Sequence, residues 1–362
     1  MLASGRALVI AAAAVLAAPA AAFGDSGIVY TSTNSPGGNA IQTLNRAEDG
    51  SLTPAGSFAT GGTGTGGGLG NQGAVVLDDR GDRLFAVNAG SDQITSFTVA
   101  GRGLRVRDLE SSNGDQPVSL TVHGDLIYVL NAGSDEISGF RVRRNGDLQP
   151  LSGSTRDLSG AGTGPAQVEF SPDGGLLVVT EKNTNRIDTF LVGPDGRPGE
   201  VSSQPAAGQT PFGFAFDRRG NLIVSEAFGG APDASVLSSY DVRPDGGIAP
   251  ISPLVPTGQT AACWVVVTDN GRFAYTTNTG SGSISSYTVD RDGSIARLES
   301  VAADTGAGSG PTDMALDDDR RLFVLNAAAR TVGAYRVSGD GRLVLVDIVG
   351  GLPPAATGLA AS

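Results

Sequence analysis

The sequence is poor in the residues that most often carry catalysis, metal binding or covalent cross-links. Its 362 residues include one cysteine, one histidine and one tryptophan. A single cysteine, Cys263, cannot form an intrachain disulfide. A single histidine, His123, cannot build a multi-histidine metal centre. Because His123 also falls in a predicted hairpin turn, we expect no Ser-His-Asp triad. We therefore expect no metal and no cofactor.

Basic residues are also scarce relative to acidic ones. The chain has 25 Lys and Arg against 37 Asp and Glu, which gives a net charge of −12. Nucleic acids and anionic membranes bind through clusters of Lys and Arg, so neither is an expected partner. No segment after the first 22 residues approaches the length of a membrane-spanning helix.

The N-terminal segment has the pattern of a secretory signal peptide. Arg6 provides a short positive start, the run Ala7–Ala18 is apolar, and small residues follow at 20–22. We assign residues 1–22 to the signal peptide and residues 23–362 to one folded domain, with a retained N-terminal anchor as the alternative. The sequence thus predicts an exported protein, periplasmic or extracellular, and we expect it to be a monomer.

Glycine is abundant, with 54 residues, and it punctuates a repeat. Each copy consists of a β-run, a polar turn and a second β-run that usually ends in an aromatic residue. The copies are IVYTSTNSPGGNAIQTL, LFAVNAGSDQITSF, IYVLNAGSDEISGF, LVVTEKNTNRIDTF, LIVSEAFGGAPDASVLSSY, FAYTTNTGSGSISSY and LFVLNAAARTVGAY. Seven copies at a period of about 50 residues favour a propeller over an open solenoid or two sandwiches.

The segments between the copies supply the remaining strands. Asp-Gly or Asn-Gly turns follow most copies and predict tight two-residue hairpins, and a small apolar strand often precedes the next copy. The fold class is therefore all-β: a seven-bladed β-propeller with four antiparallel strands per blade. The first copy lacks a preceding inner strand, and GLPPAATGL at 351–359 can supply it. We expect this C-terminal strand to join the N-terminal blade and close the ring.

Two recurring positions are candidates for a site at the mouth of the central channel, where the inner strands begin. The first lies early on each inner strand and holds Ala74, Ser119, Gln167, Gly213, Trp264, Asp313 and Ala356. The second ends the next strand and holds Asn88, Asn131, Glu181, Glu226, Asn278 and Asn326, with Ser32 or Asn34 in the first copy.

Two glutamates interrupt the asparagines of the second set. Asn tolerates the left-handed turn conformation, which gives the asparagines a structural explanation, whereas Glu does not share this preference. Glu181 and Glu226, with Gln167, are therefore the candidate catalytic residues, since two carboxylates can serve as acid and base. The alternative is two solvated loop carboxylates. The candidate binding residues are Asn131, Phe212, Trp264, Asn278 and Asp313.

The segment GPAQVEFSPDGGLLVVTEKNTNRIDTFLVGPDG at 164–196, with its weaker echoes in the other blades, resembles the seven-bladed lactonase propellers. That family includes 6-phosphogluconolactonase-type enzymes and fungal carboxymuconate cyclases. The resemblance implies a lactone ring opened or closed at the channel mouth, with a Glu at Glu181. The Arg-His pair of the family falls on Ala166 and Gln167.

Two functions follow from this comparison. One is an exported lactonase-like hydrolase acting on a small-molecule lactone or carbohydrate derivative, in which Glu181 and Glu226 replace the missing histidine. In that case Glu181→Gln abolishes turnover. The other is a non-catalytic propeller that binds a protein, peptide or glycan partner in the envelope or outside the cell.

Overall fold

The computed structural model describes residues 27–317 and 321–362. Within these ranges the chain forms 29 β-strands, one short 3₁₀ turn at Phe228–Gly230 and no α-helix. No helix in the same ranges is long and apolar enough to cross a membrane. The signal peptide assigned to residues 1–22 lies outside the described residues.

The strands follow one another round a ring of seven blades. Blade 1 contains β1 (Gly27–Ser32), β2 (Ala40–Arg46) and β3 (Leu52–Ala59). Blade 2 contains β4 (Val75–Leu77), β5 (Arg83–Asn88), β6 (Gln93–Ala100) and β7 (Gly103–Ser111). Blade 3 contains β8 (Pro117–His123), β9 (Leu126–Asn131), β10 (Glu136–Val142), β11 (Leu148–Pro150) and β12 (Arg156–Asp157). Blade 4 contains β13 (Pro165–Phe170), β14 (Leu176–Glu181), β15 (Arg186–Leu191) and β16 (Ser202–Pro205).

The second half of the chain repeats the pattern. Blade 5 contains β17 (Pro211–Phe216), β18 (Leu222–Glu226), β19 (Val236–Val242) and β20 (Ile248–Pro256). Blade 6 contains β21 (Ala262–Val267), β22 (Phe273–Asn278), β23 (Ser283–Val289) and β24 (Ile295–Asp304). Blade 7 contains β25 (Pro311–Leu316), β26 (Arg321–Asn326), β27 (Thr331–Val337) and β28 (Leu343–Gly350), and the chain ends with β29 (Thr357–Ala361).

The seven-bladed prediction is confirmed. Among the described residues there are seven sheets, and every strand pair in them is antiparallel; the paired strands are consecutive in the chain except for β29 with β1 and β12 with β10. Blade 3 departs slightly, because its outer strand is split into β11 and β12, both paired with β10. The first strand of each blade in chain order lies nearest the axis, and in blade 1 that place is taken by β29.

The ring closes as the sequence predicts. β29 pairs antiparallel with β1, with Val29 opposite Ala361 and Ser32 opposite Thr357. Beyond the strand, the N–H of Ser362 donates to the carbonyl of Ile28 at 3.0 Å. The register also corrects one assignment: Leu359, and not Ala356, occupies the recurring inner-strand position of blade 1, because Leu359 lies opposite Thr31.

The turns between third and fourth strands are glycine-dependent, but most are longer than predicted. In blade 3 the pair Arg143 and Asp147 closes the hairpin, and three residues lie between them, ending with Gly146 at φ 92°. Blade 6 repeats this geometry with Gly293 at φ 82°. A three-residue loop of this kind places glycine last, where the backbone turns left-handed. The two-residue turns predicted from Asp-Gly and Asn-Gly were therefore wrong in length.

The core lies between the blades, because each sheet has two faces and each face packs on a neighbouring sheet. One cluster joins Phe85 and Val87 of blade 2 with Ile127, Val129 and Phe140 of blade 3, all nearly inaccessible to solvent. The second strands are buried almost throughout, as the pattern of β14 shows, whereas the outer strands, such as β24, consist mostly of exposed or half-buried residues. This packing leaves the inner edge of each sheet facing the axis.

The closure of the ring by β29 leads to a prediction about the stability of the protein. Deleting residues 351–362 removes the inner strand of blade 1, exposes the β1 edge and is expected to cost about 5 kcal/mol or more, the lower end of a typical stability margin. The truncated protein should melt far below the full chain or aggregate, as measured by thermal denaturation. A permuted chain that places 351–362 ahead of residue 27 is the control, and it should recover most of the loss. Equal melting temperatures for the truncated and full chains would contradict this role of β29.

Candidate active site in the channel

The residues that end the second strands lie between blades, away from the axis. Glu226 ends β18 and is fully buried. Its Oε1 accepts hydrogen bonds from the Gly208 N–H at 2.9 Å and the Tyr240 hydroxyl at 2.8 Å, and its Oε2 accepts one from Ser238 at 2.7 Å. Burial raises the pKa of Glu226. Its carboxyl group thus ties the connector from blade 4 to the body of blade 5.

Glu181 has the same position in blade 4. Its Oε1 accepts the Ser159 N–H at 3.0 Å, and its Oε2 accepts the hydroxyls of Ser159, at 2.6 Å, and Thr184. The buried Asp188 lies beside it, and desolvation together with this neighbouring carboxyl raises the pKa of Asp188 to about 7. Glu181 therefore holds the connector from blade 3, and the catalytic role expected for Glu181 and Glu226 stays a prediction.

The asparagines that end second strands also form buried hydrogen bonds, through neutral amide groups. Asn131 Nδ2 donates to Ser138 Oγ at 3.1 Å, and Asn278 Nδ2 donates to Ser285 Oγ at 2.9 Å. None of the asparagines that end second strands has a positive φ: Asn88, Asn131, Asn278 and Asn326. The explanation by turn preference was therefore wrong. Asn88 and Asn326 likewise donate to the third strand of their blade, so these amides are buried cross-links between second and third strands. The binding role expected for Asn131 and Asn278 stays a prediction.

The first recurring position links the inner strands of adjacent blades. Ser119 Oγ accepts the N–H of Val168 at 3.2 Å, and Gln167 Oε1 accepts the N–H of Phe214 at 2.7 Å. Val168 and Phe214 occupy equivalent places, each third after a proline that begins the strand. Because an inner strand has no neighbouring strand on the channel side, side chains must satisfy these groups instead.

The glycine-rich segment 60–73 supplies the missing partner in blade 5. That blade has Gly213 at the recurring position, so it offers no side chain to Val265 of blade 6. Gln72 reaches across the channel instead: its Oε1 accepts the Val265 N–H at 3.1 Å and its Nε2 donates to the Val265 carbonyl at 2.9 Å. A Cβ at Gly213 would lie 2.3 Å from Gln72 Oε1. This glycine-rich segment is thus anchored across the channel, and we call it the plug.

Aromatic and basic side chains hold the plug on its outer side. Trp264 Nε1 donates to the Asn71 carbonyl, and Lys182 Nζ donates to the Gly70 carbonyl at 2.6 Å. Phe212 packs on Trp264 with ring centroids 5.1 Å apart, and Lys182 Nζ lies 4.9 Å from the Phe212 centroid. Desolvation lowers the pKa of Lys182 to about 8. Phe212 and Trp264 therefore lie together around this loop, and the binding role expected for them stays a prediction.

Below the plug lies an open cavity of about 440 Å³. Its walls come from the later parts of five inner strands, and Asp79 of the β4–β5 hairpin lies at its rim. Gln72, Gln167 and Asp313 line it, so the structure brings Gln167 and Asp313 together in one cavity. The cavity thus extends toward the end where the inner strands finish, opposite the end expected from the sequence.

Two carboxyl groups of the cavity have raised pKa values. Desolvation raises the pKa of Glu169 to about 8, and Gln167 Nε2 holds its Oε2 at 2.7 Å. Desolvation also raises the pKa of Asp313 well above its usual value, although the Met314 N–H donates to its Oδ1 at 2.8 Å. Such shifts are typical of carboxyl groups that exchange protons with a substrate.

Sequence reasoning missed Glu169 and Gln72. Glu169 follows Gln167 by two residues on β13, and this spacing places both side chains on one face of the strand. A search for polar residues at that spacing on inner strands could have found it. No comparable signal exists for Gln72, because its role depends on the glycine at position 213 of a distant blade.

The comparisons with known proteins agree with this architecture. The sequence model of the family described as "Lactonase, 7-bladed beta-propeller" matches residues 28–157, 146–228, 227–315 and 246–348. The chain belongs to this lactonase family. The resemblance noted from the sequence is thereby confirmed.

Relatives of known sequence or structure are distant from this lactonase-family chain. An uncharacterized protein of Lactococcus lactis, YwcC, is 27% identical over 163 residues, which cover 42% of this chain and 46% of that protein. The match thus spans under half the length of the curated relative. The periplasmic gluconolactonase PpgL of Pseudomonas aeruginosa superposes with a TM-score of 0.71 at 17% identity, covering 92% of this chain and 99% of that one.

Two further structures are similar in the same way. A proposed 6-phosphogluconolactonase of Bacteroides uniformis has a TM-score of 0.73 at 17% identity, with 91% of this chain and 98% of that one covered. A protein of Lactobacillus plantarum has a TM-score of 0.76 at 18% identity, with coverage of 93% and 99%. At these identities the likeness shows a shared fold.

The structural role of Glu226 can be measured directly. Glu226→Ala leaves three buried donors without an acceptor and is expected to destabilise the protein by about 3 kcal/mol or more. Glu226→Gln is the matched control, because its amide oxygen keeps two of these bonds and the Ser238 hydroxyl can rotate to accept from Nε2. Urea denaturation of both variants compares the free energies of unfolding. Similar values for the two variants would show that these hydrogen bonds do not hold the connector.

Proposed function

We propose that the protein hydrolyses a lactone in the channel cavity, with Glu169 as the proton-transferring group and Asp313 as the group that polarises the carbonyl. The carrying observation is the presence of two carboxyl groups with raised pKa values in one cavity of a lactonase-family propeller. A general base works best when its pKa lies near the working pH, and the value of about 8 for Glu169 meets this condition.

The geometry of Glu169 suits this task. Gln167 Nε2 donates to Oε2 of Glu169 and thereby orients its carboxyl group. Oε1 of Glu169 accepts no hydrogen bond from the described residues. Ionised Glu169 takes a proton from the water that adds to the ring carbonyl carbon. The ring C–O bond then breaks, and the ring oxygen leaves with the proton returned by Glu169, giving an open-chain hydroxy acid.

Asp313 complements Glu169 because desolvation raises the pKa of Asp313 well above its usual value and so favours its protonated form. A protonated carboxyl group can donate a hydrogen bond to the carbonyl oxygen as negative charge develops there, which stabilises the tetrahedral intermediate. Gln167, which occupies the position of the family histidine, acts here by orienting Glu169 and bridging to blade 5 through Phe214.

Glu169→Gln is expected to lower kcat/KM for lactone hydrolysis by at least about 100-fold, the usual contribution of a general base. The measurement is lactone opening by a pH indicator, corrected for spontaneous hydrolysis. Asp233→Asn, an equally conservative change in an exposed loop, is the control and should retain activity. Glu181→Gln separates the two assignments: loss of turnover at unchanged stability in that variant, with Glu169→Gln active, would move the chemistry to Glu181.

The pH profile provides a second check. Because the base must be ionised, kcat/KM should rise with pH and level off above about 8, the pKa of Glu169. Asp79 and Asp313 are the other titratable residues among the described lining of the cavity. The profile of Glu169→Gln should lack this rise. If no lactone in a broad panel is turned over, the protein is better described as a propeller that binds a partner.

We also propose that the protein acts outside the cytoplasm. The support is the charge and apolar pattern of residues 1–22. Expression with and without this segment, followed by cell fractionation, tests the proposal. Retention of the full chain in the cytoplasm would contradict it.

A further inference from the structure

We propose that the channel cavity accepts an uncharged, polyhydroxylated lactone and rejects lactones that carry a phosphate or an additional carboxylate. This inference rests on the proposed function in one respect only: it takes the cavity as the place where the substrate binds. It concerns the charge of the ligand, which the chemistry of ring opening does not determine.

The ionisable residues of the cavity are all acidic. Asp79, Glu169 and Asp313 line it, and the lining contains no Lys, Arg or His among the described residues. The two residues of β13 that precede Val168 are Ala166 and Gln167, and neither is basic. Gln167 is moreover fully engaged with the Phe214 backbone and with Glu169, so its amide is not available to an anion.

A basic residue does lie close to the channel, but the plug separates it from the cavity. Lys182 Nζ donates to the carbonyls of Gly70 and Pro165, at 2.6 and 3.1 Å, and lies over the Phe212 ring. Gln72 spans the channel between this group and the cavity, bonded to Ala166 and Val265. Lys182 is thus unable to balance the charge of an anion bound below the plug.

The cavity is instead equipped for hydroxyl groups. Thr121 lines the cavity, and its hydroxyl, which accepts the Phe170 N–H at 3.2 Å, can still donate its proton to a ligand. Glu169 Oε1 adds an acceptor without a partner among the described residues. A volume of about 440 Å³ accommodates a six-membered sugar lactone, and apolar side chains such as Met314 and Val168 complete the wall.

A phosphate in this cavity would be desolvated beside acidic groups with no compensating cation. The penalty for burying a charge without an oppositely charged partner is large, and the described lining of the cavity contains no Lys, Arg or His to offset it. A neutral lactone avoids this penalty. The expected discrimination is at least about 100-fold in affinity, the factor that corresponds to a loss of this kind.

Binding of stable lactam analogues tests the charge preference independently of turnover. D-glucono-1,5-lactam should bind the wild-type protein at pH 7 in calorimetry, and its 6-phosphate should bind at least about 100-fold more weakly. Equal or tighter binding of the phosphate overturns the inference, and so does the absence of binding by either analogue. Selective binding without lactone turnover would refute the proposed hydrolysis while leaving the charge preference intact.

Introducing a positive charge into the lining of the cavity tests the same charge preference from the opposite side. Ala361 lines the cavity and is half-buried. Ala361→Lys should strengthen binding of the lactam phosphate at least about 10-fold relative to Ala361→Gln, which has a similar reach without the charge. Both variants should first show melting temperatures close to that of the wild type. If the lysine variant melts much lower, Leu77→Lys and Leu77→Gln, at another lining position, replace the pair. No difference between lysine and glutamine in a folded pair contradicts the inference.

Discussion

The structure depends on how the propeller satisfies the backbone groups that face its axis. Each blade ends inward in a strand edge with no strand beside it, and buried backbone donors are costly when they have no partner. Ser119 and Gln167 meet this need by reaching from one inner strand to the N–H of the next. Gly213 has no side chain that could do this, and Gln72 of the connector between blades 1 and 2 accepts the Val265 N–H instead.

This constraint also determines where chemistry can occur. The plug that carries Gln72 fills the mouth at which the inner strands begin, so the free volume lies along their later residues. Glu169 and Asp313 face that volume, and their desolvation follows from the same enclosure that shapes the cavity. Gln167, which stands where the resemblance places the family's histidine, thus links neighbouring blades and orients the carboxyl group of Glu169.

The repeat and its closure were predictable because they depend on patterns that are local and periodic. Glycine turns, paired β-runs and the missing first strand are all visible in the sequence. Gln167 and Asp313 were named as candidates because they occupy a recurring position, and both line the cavity, while their roles stay predictions. The direction of the Glu181 and Glu226 side chains was not predictable, because alternation along a strand does not say whether a polar side chain faces a connector or the channel.

Contacts between residues that are far apart in the sequence were the second feature that could not be predicted. Gln72 pairs with Val265, which lies 193 residues away, and neither residue belongs to a repeated pattern that relates the two. Gly213 of blade 5 has no side chain to bond to Val265, and Gln72 of the plug replaces it. This replacement is visible only in the three-dimensional structure. Glu169 was missed for a different reason: an acidic residue within a strand has no motif, and its perturbed pKa arises from its surroundings.

The pairing of β29 with β1 has a consequence for the order of events during biosynthesis. The residues that complete the first blade are synthesised after those of blades 2 to 7, and the hydrogen bond between Ile28 and Ser362 joins positions 334 residues apart. Until then the nascent chain carries an incomplete leading blade with an unpaired edge, a template for pairing with another chain. Contacts this remote in sequence also slow folding. Blades 2 to 7 can form their internal hairpins as they emerge, whereas the ring can close only after β29 has been synthesised.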